Sequence, residues 1–301
     1  MPEWLEVTDM IDSFLKYLKY EKRFSRHSVI SYRNDLSQLN AFISEKYPET
    51  RIEEVNHAII RDWLINLSEK DLASRTINRK IITLRSFYKF LNRRGLIDKN
   101  PALKIHALKT PQNLPQFVRE GDMNLLMDHT DFGKDFIGIR NQLILEIFYG
   151  TGIRLSELIQ LKASDFDRFN SQIKVLGKRN KERLIPITSH LAHLIDNYIE
   201  LKNNTFRQNN NPHLIVTNKG GKLYPMFVYR IVKKYLGITN VDKKSPHVLR
   251  HTYATHLLGR GADLNAVKDL LGHQSLAATQ VYTHNTLGKL KKIFDQAHPK
   301  A

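Results

Sequence analysis

The chain has 301 residues, enough for two domains, and its 41% hydrophobic and 26% charged residues are ordinary for a soluble globular protein and argue against overall disorder. Lys and Arg number 47 against 30 Asp and Glu, a net charge of +17, which points to a polyanionic partner, nucleic acid first and an anionic membrane surface second. The absence of cysteine excludes disulfides and thiolate zinc sites, and with neither a signal peptide nor an apolar run of about 20 residues, a cytoplasmic protein without a membrane partner is expected.

Four helices are expected in the first third. Met10, Ile11, Phe14, Leu15 and Leu18 recur at helical spacing. Ser25 opens a second pattern running from Val29 to Ile43 and ending before Pro48. Asn56 is placed to cap a third over 58–67, and a fourth covers 74–92 and stops near Gly95. The fourth carries Arg75, Arg79, Lys80, Arg85, Lys89, Arg93 and Arg94, several of them three or four residues apart. Such a face is either a solvated charge run or a helix laid along a phosphate backbone. In the second case Arg75, Arg79, Lys80 and Arg85 are the candidate contacts.

Residues 108–116 contain Pro111 and Pro115 and no periodicity, so they read as an extended linker. The expected domains are 1–108 and 117–301, joined by 109–116. In the second, a helix over 136–149 is expected to end at Gly150 and another to begin at Leu155. Ile173, Val175 and Leu176 form one arm of a β-hairpin, and Leu184, Ile185 and Ile187 the other, around a polar turn from Gly177 to Glu182. Helices follow near 189–202, 225–236, 246–258, 263–271 and 286–297. The expected fold is mostly α, an N-terminal helical bundle followed by an α-rich domain with a small antiparallel sheet.

Four stretches of the second domain carry chemistry. Arg154 leaves the turn Gly150-Thr151-Gly152 at a helix start, and its planar fork suits phosphate oxygens, although Glu157 three residues on also makes it a candidate structural ion pair. His247 and Arg250 lie at i and i+3 after Ser245-Pro246, an imidazole beside a guanidinium, which suits holding an oxyanion and moving a proton. His273 follows Gly272, and Tyr282 follows Val281. Taken singly, each is as well explained by capping or packing. His247, His251 and His256 share a helix, but without a His-Glu-x-x-His spacing they argue poorly for a metal.

Together these residues resemble the tyrosine recombinase/integrase family, and specifically its XerC/XerD subgroup, over nearly the whole chain. Thr151-Gly152-Ile153-Arg154 resembles the first catalytic arginine box, and His247-Val248-Leu249-Arg250 the His-x-x-Arg box. Leu271-Gly272-His273 resembles the second histidine position, and Val281-Tyr282-Thr283-His284 the nucleophile. Lys178 resembles the hairpin lysine; Lys181 is the alternative, and Gly177 favours Lys178. Arg179 replaces a common glycine and Ala278 a common threonine, and neither change removes a reacting group.

The resemblance implies a SAM-like N-terminal DNA-binding bundle and a C-terminal catalytic domain. It implies that Tyr282 attacks a phosphodiester and forms a 3′-phosphotyrosine with no metal and no cofactor. Arg154, Arg250 and His273 are implied to meet the charge on the phosphate, and Lys178 to protonate the leaving 5′-oxygen. His247 is implied to accept the Tyr282 proton or to support acid–base transfer. Duplex DNA with inverted half-sites, a tetramer with itself or a related recombinase, and a septal DNA translocase are the implied partners. Chromosome dimer resolution and segregation is the implied role. A mobile-element integrase, a DNA invertase, a type IB topoisomerase and a DNA-binding regulator with a dead site are the alternatives.

Overall fold

The computed structural model describes residues 7–111, 116–177, 182–207, 211–272, 294 and 296–298. The chain divides into two compact units, Met1–Asn113 and Leu114–Ala301. Of the proline-bearing segment 109–116, only 109–111 and 116 are described.

The first unit contains helices α1 (Val7–Lys16), α2 (Arg26–Lys46), α3 (His57–Glu69) and α4 (Ser74–Arg93), with α1 running into one wider π-type turn over Tyr17–Glu21. Two of the expected caps form. Ser25 Oγ accepts from the Ser28 amide, and Asn56 Oδ1 from the amides of Ala58 and Ile59. Phe14, Leu18, Leu36, Leu39, Ile60, Trp63, Leu84 and Phe87 fill the core between them. Residues 97–108 turn back along α4, where the Asn78 amide exchanges two hydrogen bonds with the Leu108 backbone, at 2.7 and 2.8 Å.

The basic face of α4 is only partly a surface. Lys80 is 2% exposed, with its ammonium 2.9 Å from the buried Asp35 carboxylate and hydrogen-bonded to Gln38. Arg85 is half-buried and gives its guanidinium to the carbonyls of Ala102 and Ile105. Buried and ion-paired, Lys80 is not placed to meet phosphates as expected, while Arg85 is turned in part toward the backbone of the same unit. Asp35 lies on the apolar face of α2, and a buried carboxylate must be paired, so it draws Lys80 inward and takes Thr83 and Arg79 as further donors. Arg75 is exposed, and the Arg79 side chain remains 45% exposed while tied to Asp35 and Ser31.

The second unit contains α5 (Glu120–Asp128), α6 (Phe136–Thr151), α7 (Leu155–Gln160), α8 (Ser189–Thr205), α9 (Pro225–Tyr235), α10 (Pro246–Gly259) and α11 (Leu264–Leu271). A three-stranded antiparallel sheet, β1 (Phe166–Asp167), β2 (Gln172–Leu176) and β3 (Glu182–Pro186), pairs in that order, with Ile173 opposite Ile185 and Val175 opposite Arg183. The hairpin forms where the sequence places it, with Glu182 in β3 rather than in the turn and Ile187 just beyond the strand; β1 and α5 are additional. α6 is buried along almost its whole length and forms the centre of the unit, with α8 and α10 packed against it. It passes through Gly150 and ends two residues later than expected, at Gly152, which takes the left-handed conformation at φ 60°. Of the expected helix over 286–297, Phe294, Gln296 and Ala297 are described and helical, and His298 Nε2 donates to the Gly150 carbonyl at 3.1 Å.

Candidate active site

The end of α6 sets the first component. Gly152 carries the chain out of the helix, and Arg154 then has an extended backbone as the N-cap of α7. Its amide donates to Glu157 Oε2 at 2.7 Å and its Nη1 to Glu157 Oε1 at 2.8 Å, so one carboxylate both closes the helix start and orients the guanidinium. Only glycine fits at 152. An added Cβ would run into the Tyr253 ring and lie 2.8 Å from Leu271 Cδ2, on a backbone already at positive φ. Gly152→Ala is therefore expected to destabilise the unit by about 2–5 kcal/mol, the left-handed penalty plus overpacking. Thermal denaturation of the variant measures this.

α10 opens on Pro246 and carries His247 on its exposed side and Arg250 in its buried one. Arg250 Nη1 donates to the Gly152 carbonyl at 2.5 Å and Nη2 to the Leu271 carbonyl at 2.7 Å. Burial and the nearby Arg154 charge push its pKa down to about 10, which leaves it cationic at neutral pH.

A third arginine belongs to the cluster and was absent from the candidates read from the sequence. Arg183, on β3, is buried; its Nη1 and Nη2 each donate to one oxygen of Glu157 at 2.9 Å, and its Nε donates to the Leu270 carbonyl at 3.1 Å. Burial opposes the charge on Glu157, but the bonds from Arg183 and Arg154 outweigh it and hold the carboxyl below its ordinary pKa.

The three arginines converge on one backbone segment. The last carbonyls of a helix have no partner within it and carry its negative pole. At the end of α11, Leu270 receives Arg183, Leu271 receives Arg250, and Gly272 receives Arg154, the last at 3.1 Å across 118 residues of sequence. Gly272 caps the helix at φ 64°, and the next residue in the chain is His273. Three guanidiniums against the single Glu157 carboxylate leave an excess of two positive charges. Each terminal nitrogen of Arg154 and Arg250 carries two hydrogens, and the bonds named use one of each. The cluster can therefore still donate to a tetrahedral anion.

Lys178, His273 and Tyr282 lie outside the described residues. Of the six candidates, the structure thus places Arg154, His247 and Arg250. It brings the two arginines to adjacent carbonyls and leaves His247 exposed at the start of the same helix as Arg250. Among the described residues no three His, Cys, Asp or Glu side chains gather as a metal site would require. His256 has a different occupation. Its Nε2 donates to the Val118 carbonyl at 2.9 Å, so Nδ1 is the acceptor for the Tyr149 hydroxyl at 3.0 Å. Burial lowers its pKa. The ring is expected to titrate below the ordinary value of about 6.5, and proton NMR of the imidazole measures it. The unfolded chain then binds the proton first, so the contribution of His256 to stability is complete above that pH and declines as pH falls through it.

Residues 116–288 match the model of the phage integrase family, and residues 11–95 that of the phage integrase N-terminal SAM-like domain. A tyrosine recombinase XerC of Staphylococcus carnosus is 40% identical over 294 residues, covering 96% of this chain and 97% of the relative. Another, of Chlorobaculum parvum, is 35% identical over 317 residues, covering 97% and 94%.

The chain belongs to the phage integrase family of tyrosine recombinases. It is accordingly a site-specific recombinase, an enzyme of a class that cuts and rejoins DNA without a metal. Solved structures share the fold. The XerH site-specific recombinase bound to difH substrate, in a pre-cleavage complex, aligns with a TM-score of 0.70 at 20% identity over 97% of this chain and 98% of that one. The Tn1549 transposon integrase in complex with transposon right end DNA aligns with a TM-score of 0.70 at 17% identity, over 94% and 98%. In a tyrosine recombinase, a buried arginine cluster with spare N–H donors is chemically suited to a phosphodiester whose negative charge grows during attack. No described helix is long and apolar enough to cross a membrane.

Proposed function

We propose that this recombinase binds duplex DNA at inverted half-sites and exchanges strands in a tetramer, with itself or a related recombinase, to resolve chromosome dimers before segregation. In the proposed step the Tyr282 oxygen attacks the scissile phosphorus and the bond to the 5′-oxygen breaks, leaving a 3′-phosphotyrosine and a 5′-hydroxyl. A second 5′-hydroxyl then attacks the phosphotyrosine and releases Tyr282. One phosphodiester replaces another, so no nucleotide cofactor is consumed.

Arg154 and Arg250 take the non-bridging oxygens and His273 adds a hydrogen bond. Lys178 protonates the leaving oxygen, and His247 accepts the tyrosine proton or supports that transfer. The observation that carries this reading is the convergence of Arg154 and Arg250 on the carbonyls of Leu271 and Gly272, directly before His273. The net charge of +17 suits a partner held by its phosphates, and binding should weaken steeply with salt. Arg75 and Arg79 are the contacts proposed for the first unit. A cytoplasmic location and a septal DNA translocase as a partner are part of the same reading.

The test uses a plasmid bearing two direct copies of the chromosomal site that the protein protects from nuclease. Two excised circles are expected. Relaxed circles of the original size would instead indicate a topoisomerase, and unchanged plasmid bound by protein a regulator.

A further inference from the structure

We propose that Arg183 is a positioning residue for strand cleavage, setting the direction of the Arg154 guanidinium through Glu157 and holding the end of α11 through Leu270. The proposal rests on the reading of Arg154 as a ligand of the scissile phosphate.

Arg183 itself is not placed to touch a substrate. It is 6% exposed, and its Nε, Nη1 and Nη2 each give a hydrogen bond to Leu270 or Glu157. Its value lies in what those bonds fix. The terminal torsion of a glutamate is broad and settles only when both oxygens are held. The Arg183 fork holds both, and Oε1 is then shared with Arg154 Nη1. Without that fork, the Glu157 carboxylate is held by the Arg154 amide and Nη1 alone, and it can exchange the amide bond for a two-pronged pair with the Arg154 guanidinium. Such a pair would draw away the Arg154 nitrogen that now reaches the Gly272 carbonyl.

A lysine could supply the charge but not the planar fork. The close fit at Gly272 agrees with a built contact. An added Cβ there would stand 3.2 Å from Arg183 Nη1 and 3.3 Å from its Cδ. Arg183 also sits on β3 opposite Val175 of β2, so the same side chain ties the β2–β3 pair to α7 and α11.

The test compares the full-length wild type, Arg183→Lys and Arg183→Met on nicked duplexes of the bound site. The scissile linkage is an ordinary phosphate, a methylphosphonate that lacks the charge the arginines meet, or a 5′-phosphorothiolate that needs no acid at the leaving atom. Both variants are expected to bind the site like wild type and to form the covalent complex on ordinary phosphate on the order of 10²-fold more slowly. Their deficit relative to wild type should shrink on the methylphosphonate and persist on the phosphorothiolate.

Wild-type rates, equal deficits on all three substrates, or rescue by the phosphorothiolate alone would overturn the proposal, the last by moving the role to Lys178. If Arg183→Met fails to bind the site it has failed to fold, and Arg183→Lys decides. Failure of both to bind makes Arg183 a folding residue and also overturns it. Absence of a covalent complex with the wild type would instead count against the recombinase mechanism on which the proposal rests.

Discussion

Arg250→Ala is expected to slow formation of the covalent protein–DNA complex by at least about 10³-fold, the scale of losing a guanidinium that meets transition-state charge. The side chain is 9% exposed, so its charge acts through a medium of low polarizability with little competing water. It is also held before substrate arrives, by the Gly152 and Leu271 carbonyls, and need not be ordered during the reaction. The Arg154 side chain is 27% exposed and shares its charge with Glu157. Arg154→Ala should therefore cost less than Arg250→Ala. Single-turnover cleavage of a nicked site gives both rates, and the reverse order would contradict the assignment of Arg250 as the more buried phosphate ligand.

The second large effect is on stability. Glu157→Ala is expected to destabilise the second unit by about 3–5 kcal/mol, the cost of breaking a buried ion pair from one side. The Glu157 and Arg183 side chains are 3% and 6% exposed, so solvent does little to relieve the stranded guanidinium. Removing both charges in Glu157→Ala/Arg183→Met should recover part of the loss, because the more deeply buried of the two guanidiniums that Glu157 pairs is then gone as well. Both tryptophans, Trp4 and Trp63, belong to the first unit, so calorimetry suits the measurement better than fluorescence. The depressed Glu157 pKa gives the sign with pH. Its contribution is present above the unfolded carboxylate value of about 4.3 and is lost as pH falls through the lower folded value.

The sequence was most informative where a local interaction decides the structure. Ser25 and Asn56 announce helix starts because a cap is made by the residue beside it. The hairpin arms follow from alternation, and α6 from a long apolar run. The same reasoning misplaced the end of α6. Gly150 and Gly152 look alike along the chain, and only the packing of Tyr253 and Leu271 against position 152 separates them. β1, at two residues, is too short for any period to show, and α5 offers only a few apolar side chains around Gly121.

Lys80 and Arg183 were hidden by the company they keep, basic residues that read as solvated. A signal existed for both. Lys80 falls at helical spacing from the buried Ile77 and Leu84, and Asp35 interrupts the apolar face of α2 as its counterpart. Arg183 falls on the inward side of β3 with Ile185, where a cation requires a buried carboxylate. Arg154 and Arg250 were legible as chemistry, but their meeting at the end of α11 is a product of tertiary structure and has no local signature.

Tyr282 is proposed to make the covalent bond while the arginines hold the phosphate. The most direct measurement traps the wild-type protein on a nicked site, digests it and identifies by mass spectrometry the peptide that carries the nucleotide. The expected adduct is the peptide containing Tyr282, bearing the 3′-phosphate of the cut strand and lost in Tyr282→Phe, which still binds the site. A nucleotide on any other residue, or one joined through its 5′-phosphate, would contradict it.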